Sequence, residues 1–163
     1  MASETGKDAV LAAKAENRAV VTLLQQLPTA IVDAKFDRDE LTLTIARDQI
    51  VDVCRTLQAA EYNFLVDVTC VDWYPRRPRF QVTYHILSHL LKERLRLCVL
   101  VDETDASVDS ITPVWPSANF YEREVFDLFG IRFGGHPNMR RIMMPDDYGY
   151  HPLRKDFPVE GYR

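Results

Sequence analysis

Apolar residues recur at helical spacing from Asp8 to Leu27: Val10, Ala13, Val20, Leu24 and Leu27 share a face, with Lys14, Glu16 and Arg18 elsewhere on the wheel. The spacing predicts one helix, ended by Pro28, because the residue before a proline is driven out of the α region. Ile31–Phe36 then reads as a short strand and Asp37-Arg38-Asp39-Glu40 as a polar turn. Leu41, Leu43 and Ile45 alternate with Thr42 and Thr44, the mark of a half-buried strand, so the two strands predict a hairpin. Asp48 is placed to cap a second helix whose face is Ile50, Val53, Cys54 and Leu57 and which runs to about Glu61.

Three further runs have period 2. Phe64, Val66, Val68 and Cys70 alternate with Asp67 and Thr69, although Leu65, Val71 and Trp73 point to burial on the second face as well. Pro75 and Pro78 bracket the next connection. Phe80, Val82, Tyr84 and Ile86 alternate with Gln81, Thr83 and His85, and Leu95, Leu97, Val99 and Val101 with Arg94, Arg96 and Cys98, giving each strand one wet and one packed face. Val108–Val114 reads as a helical turn, and Pro116 as the first residue of a short charged helix, where its missing N–H costs nothing. Gly130 supplies the left-handed stop. The fold class is therefore α+β: a two-layer sandwich in the order helix, two strands, helix, three strands, with a mixed sheet covered by helices on one face. Residues 1–115 are expected to form the globular domain. Residues 116–163 add the charged helix and an extended tail to the same structural unit.

The tail keeps neither helical nor strand periodicity, which is uncommon for so long a run inside a compact domain. Its apolar residues, among them Phe133, Met139, Ile142, Met143, Met144, Tyr148, Leu153 and Phe157, argue against plain disorder. It is expected to borrow its order from another protein. Within the charged helix, Glu122, Arg123, Glu124 and Asp127 are crowded by Phe120, Tyr121, Val125, Leu128 and Phe129, which leaves little exposed face. A solvated face is the plain reading. Charges so embedded need specific partners, however, and the paired bases Arg140–Arg141 and Arg154–Lys155 are the expected ones, folding back or reaching a neighbouring protein.

At 163 residues, 47% hydrophobic and 27% charged, the chain is an ordinary soluble domain large enough to bury a core. A net charge of −4 gives no support to nucleic-acid binding. Cys54, Cys70 and Cys98 are odd in number, far apart and outside any metal spacing, so they read as buried apolar residues in a reducing compartment. The first fourteen residues lack the apolar core of a signal peptide, and no stretch is long and apolar enough to span a membrane.

Autonomous chemistry is hard to assemble. Gly6 is the only glycine before Gly130, so there is no phosphate-cradling loop in the globular part. His85 and His89 lie in or just past a strand, and His136 and His151 each precede a proline. None has a helical partner at metal spacing, and backbone hydrogen bonding is the simpler role for the tail pair. Asp146–Asp147 beside His151 lacks the oxygen-ligand rhythm of a calcium loop. The serines sit in no nucleophile elbow. The alternative kept open on these residues is a metal-dependent enzyme using His136, His151 and Asp146.

The run EREVFDLFGIRF, then GGHPNMRRIMMPDD, then HPLRKDFP closely resembles the signature of the 30 kDa (C) subunit family of proton-pumping NADH:quinone oxidoreductase, respiratory complex I. The resemblance covers about fifty residues in three linked blocks. It places Glu122, Arg123, Glu124, Asp127, Gly130, His136, Pro137, Arg140, Arg141, His151, Pro152, Leu153, Arg154, Lys155 and Asp156 in a signature that meets other subunits. It implies a component of the peripheral arm without a catalytic, cofactor or metal site of its own, FMN and iron–sulfur clusters being held by partners. The implied partners are the hydrogenase-like D subunit and the iron–sulfur B subunit, on the cytoplasmic side of the inner membrane in bacteria, a bacterial source being favoured over a mitochondrial one. Equivalent domains occur with membrane-bound [NiFe] hydrogenases and other-donor complexes. A stand-alone chain ending soon after the signature leans toward NADH dehydrogenase.

Overall fold

The computed structural model describes residues 4–161. The single helix expected from Asp8 to Leu27 is two, α1 (Glu4–Ala13) and α2 (Arg18–Gln26). Asn17 separates them: in an extended conformation, its side chain accepts from the N–H groups of Ala19 and Val20 and starts α2 afresh. Its amide also donates to Glu93 at 3.1 Å, a contact that no helical period encodes.

The hairpin is present as β1 (Ile31–Asp37) and β2 (Glu40–Ile45). Arg38 and Asp39 turn it with φ of 51° and 62°, the left-handed pair that matches the twist of a two-residue loop. Asp48 does not cap the next helix. A short 3-10 turn at Arg47–Gln49 precedes α3 (Ile50–Ala59), so Gln49 takes the cap position and makes no side-chain bond there.

Strands β3 (Phe64–Asp72), β4 (Phe80–Ser88) and β5 (Glu93–Val101) form a meander whose last strand lies parallel to β2, giving the order β1-β2-β5-β4-β3. The inward rows of β2, β4 and β5 are the predicted ones, and they are buried with Val20, Leu23, Ile50, Val53 and Leu57 of the helices. In β3 the alternation breaks. A bulge between Leu65 and Asp67 shifts the phase, so Leu65, Val68, Cys70 and Asp72 face the core, whereas Phe64 and Val66 are exposed.

Val108–Val114, expected as a helical turn, begins in a strand. Ser107–Asp109 forms β6, paired in parallel with β7 (Arg132–Gly134). This is a long-range ladder that local periodicity cannot announce. Between these strands runs α4 (Ala118–Phe129), packed on β3. Ser117 stands at its cap, and Pro116, predicted as the first helical residue, lies two residues before Ala118, its carbonyl accepting from Asn119 N–H. Gly130 ends the helix as expected, at φ 79°.

Candidate functional site: a helix end wrapped by the tail

A helix leaves its last carbonyls without intrahelical donors, and the partial negative charge there favours cations. In α4 the tail supplies the donors. Gly130 N–H takes the Phe126 carbonyl at 2.8 Å. The Asp127 carbonyl accepts from His151 Nδ1 at 2.9 Å and Arg141 Nη1 at 3.2 Å. Leu153 N–H donates to Leu128 O at 3.0 Å, and Arg154 Nε to Phe129 O at 2.6 Å. The fit is close: a Cβ on Gly130 would stand 2.6 Å from Arg154 Nη2 and 2.7 Å from the His151 ring.

The Asp127 carboxylate, fully buried, organises the near half of the tail. Its Oδ2 accepts the successive N–H groups of Ile142, Met143 and Met144 at 2.9, 2.7 and 2.9 Å, and its Oδ1 pairs with Arg141. Consecutive N–H groups converging on one oxygen make an anion nest. Burial by itself would raise the Asp127 pKa, but these donors outweigh it and hold the carboxyl below the usual range. The far half is clamped at Arg79. That buried guanidinium grips Asp72 through two bonds of 3.0 and 2.8 Å, Asp156 through two of 2.6 and 3.1 Å, and also Glu103. Lys155 N–H adds a bond to Asp72 Oδ2 at 2.8 Å. Despite burial, Arg79 and the N–H groups of Lys155 and Tyr74 bring Asp72 down to about 2.

Glu122 differs from expectation. Among the described residues it meets no arginine; fully buried, it accepts from Ser110 Oγ at 2.6 Å and Ile111 N–H at 2.8 Å, with His136 Nε2 4.0 Å away. Burial pushes its carboxyl up to about 7 against those two bonds. His136 donates through Nε2 to Asn119 O at 3.1 Å, and burial lowers its pKa, as it does that of His151. Arg123 donates to the carbonyls of Arg140 and Arg141 rather than to a carboxylate.

A family model described as respiratory-chain NADH dehydrogenase, 30 Kd subunit, matches residues 43–163. The C subunit of the NADH-quinone oxidoreductase of Geobacter sulfurreducens is 47% identical over 147 residues, covering 89% of this chain and 91% of the relative. The chain belongs to the 30 Kd subunit family. Among solved structures, the trypsin-resistant fragment (1–134) of Nqo5 is similar at TM-score 0.67 and 31% identity, over 74% of this chain and 98% of that one. A chain of the membrane-bound sulfane sulfur reductase, an archaeal respiratory membrane complex, is similar at TM-score 0.76 and 27% identity, over 89% and 86%.

In this member of the 30 Kd family the signature residues divide into groups. Asp127, Gly130, Arg141, His151, Leu153 and Arg154 meet at the end of α4, while Lys155 and Asp156 join Arg79. Glu122 and His136 lie nearer the start of the helix. Glu124, Pro137 and Arg140 are exposed, Pro152 is half-buried, and Arg140 makes no ion pair among the described residues. The tail thus has order from its own chain, contrary to the expectation that it borrows all of it; the ordering bonds run to backbone groups, to the carboxylates of Asp127 and Asp72 and to Arg79, which leave no period. Sequence reasoning missed Asp72, Arg79 and Ser110. A carboxylate at an inward position of β3 was the available signal, since Asp72 continues the row of Val68 and Cys70.

The arrangement holds and caps. Burial raises the thiols of Cys54, Cys70 and Cys98. Among the described residues no group of three or more His, Cys, Asp or Glu could hold a metal, and no helix is long and apolar enough to cross a membrane.

Proposed function

We propose that this chain is the cofactor-free C subunit of the peripheral arm of a bacterial complex I, with residues 116–163 as its partner-binding surface. Membership of the family makes it a component of an NADH–quinone oxidoreductase, and catalysis belongs to the complex. FMN and iron–sulfur clusters then reside in partners, and the partners packed on the tail are the hydrogenase-like D subunit and the iron–sulfur B subunit. The chain sits at the cytoplasmic face of the membrane without spanning it.

One observation carries the reading. The tail and α4 are firmly held on one side, yet present Phe120 and Met143 at 61% exposure, Leu153 at 52%, Tyr150 at 44% and Ile142 at 39%. Ordered backbone displaying large apolar side chains to solvent marks a protein-contact surface. That a fragment of Nqo5 resists trypsin supports a globular part separable from the residues beyond it. The likeness to a chain of the sulfane sulfur reductase favours a second reading, the equivalent component of a complex with another electron donor.

Leu153→Asp and Met143→Asp change exposed side chains and leave the backbone bonds of both residues in place. The full chain carrying them is expected to unfold at the wild-type temperature but to enter the complex at least ten-fold less well on native gels. Unchanged incorporation would overturn the assignment of the surface. Identification of the proteins that co-purify with the tagged wild type separates the two complexes.

A further inference from the structure

The connection between β3 and β4 forms a second surface, on the face of β3 opposite α4. In a chain of net charge −4, the stretch between Asp72 and Glu93 contains no acidic residue but holds Arg76, Arg77, Arg79 and Lys92. Arg79 is consumed by the tail clamp; Arg76 and Arg77 are exposed. Arg76 lies over the Trp73 ring at 5.6 Å, and Trp73 Nε1 donates to Gln81 Oε1 at 3.1 Å, which fixes the indole on the outer sheet face. Strand register sets Val71, Gln81 and Leu100 in one row beside it. Val71, Trp73 and Leu100 are 37%, 38% and 42% exposed.

Among the described residues the carboxylate paired with Arg77 is that of Asp102, at 4.0 Å, with Arg77 still 71% exposed. Asp102 is already engaged by the N–H and hydroxyl of Thr104. Arg76 therefore has no carboxylate partner among the described residues, and Arg77 has only this long, exposed contact, both at the rim of an apolar sheet patch. Tryptophan and arginine around a desolvatable centre are the composition of binding hot spots. An anionic membrane is the poorer fit: each arginine near its surface adds only about five-fold in affinity, and the pinned indole is not free to insert.

We propose that this patch docks an acidic segment of another protein of the complex, its carboxylates on Arg76 and Arg77 and an apolar side chain against Val71, Trp73 and Leu100. This rests on the chain being one component of a complex. It adds a contact on the side of the sheet away from the tail.

The test uses the purified complex. With Arg77→Lys in the full chain, carbodiimide is expected to join position 77 to an Asp or Glu of a neighbouring protein, located by mass spectrometry. Arg76→Glu with Arg77→Glu is expected to weaken retention of the chain about ten-fold and to lower the salt concentration at which it dissociates. Absence of any inter-chain amide together with a wild-type salt profile overturns the inference. So does flotation of the wild type, but not the double variant, on phosphatidylglycerol vesicles, which assigns the patch to lipid. Failure of the tagged wild type to enter any complex overturns the proposed function and this inference with it. Entry of both wild type and double variant with equal retention overturns the docking surface alone.

Discussion

Asp127→Asn removes one charge from the carboxylate that gathers the near half of the tail. The asparagine oxygen can still accept from Ile142, Met143 and Met144, but its amide then faces Arg141, donor against donor. Arg141 is 11% exposed, so water compensates it poorly. Loss of a charge-assisted bond, with a nearly buried guanidinium left only carbonyl partners, costs about 3 kcal/mol, or roughly a hundred-fold in the opening equilibrium. The bonds lost hold the tail and not the sheet. Hydrogen exchange of the isolated full chain should therefore show amides 142–144 protected in the wild type and about a hundred-fold faster in the variant, with those of β4 and β5 unchanged. Acid gives a second readout. A carboxyl held below its ordinary pKa contributes stability that is present above about pH 4 and is lost as pH falls through the folded value. Wild-type tail protection should fall in that window and exceed the loss in the variant, where the lowered carboxyls of Asp72 and Asp156 remain. Equal protection of 142–144 in both proteins, or matching losses throughout the sheet, would refute the reasoning.

Two further outcomes concern the same region. Glu122 has its carboxyl raised from 4.5 to about 7, so the native state holds the proton more tightly than the unfolded one and wild-type stability should fall as pH rises across that interval. Glu122→Gln, which can keep both hydrogen bonds, should flatten the slope, a difference on the order of 3 kcal/mol between pH 4.5 and 8 by urea unfolding; parallel slopes would show that Glu122 does not titrate there. Gly130→Ala meets both a left-handed φ of 79° and a Cβ placed 2.6 Å from Arg154. It should lose about 2 kcal/mol and roughly 4–8 °C in Tm, with faster trypsin cleavage after Arg154, whereas an unchanged cleavage rate would mean that Arg154 does not hold the tail on the helix.

Much of the fold was legible because burial on one face imposes a period. The alternations in β2, β4 and β5 and the face of α3 are each written every second or every third and fourth residue, and the structure places them inward. Gly130 was legible for a different reason, since a helix needs a left-handed closing residue and glycine adopts that backbone without a Cβ clash. Where one residue interrupts the period, the reading slipped: Asn17 restarted a helix, and the bulge beside Val66 reversed the faces at the start of β3. The signature residues of the tail were identified, but their arrangement was not. Arg123 finds the carbonyls of Arg140 and Arg141; Glu122 was expected to find an arginine and found Ser110.

The amino-acid sequence by itself determined the layers, the inward rows of β2, β4 and β5 and the family, because side-chain burial and motif spacing are local properties of the chain. Only the tertiary structure decided that Asp127 meets Met143 across sixteen residues, that Arg79 meets Asp156 across seventy-seven, and that β6 pairs with β7. Those bonds depend on which orphaned backbone groups and charges are brought within about 3 Å of one another. Distance in space, unlike periodicity, leaves no mark on the order of residues.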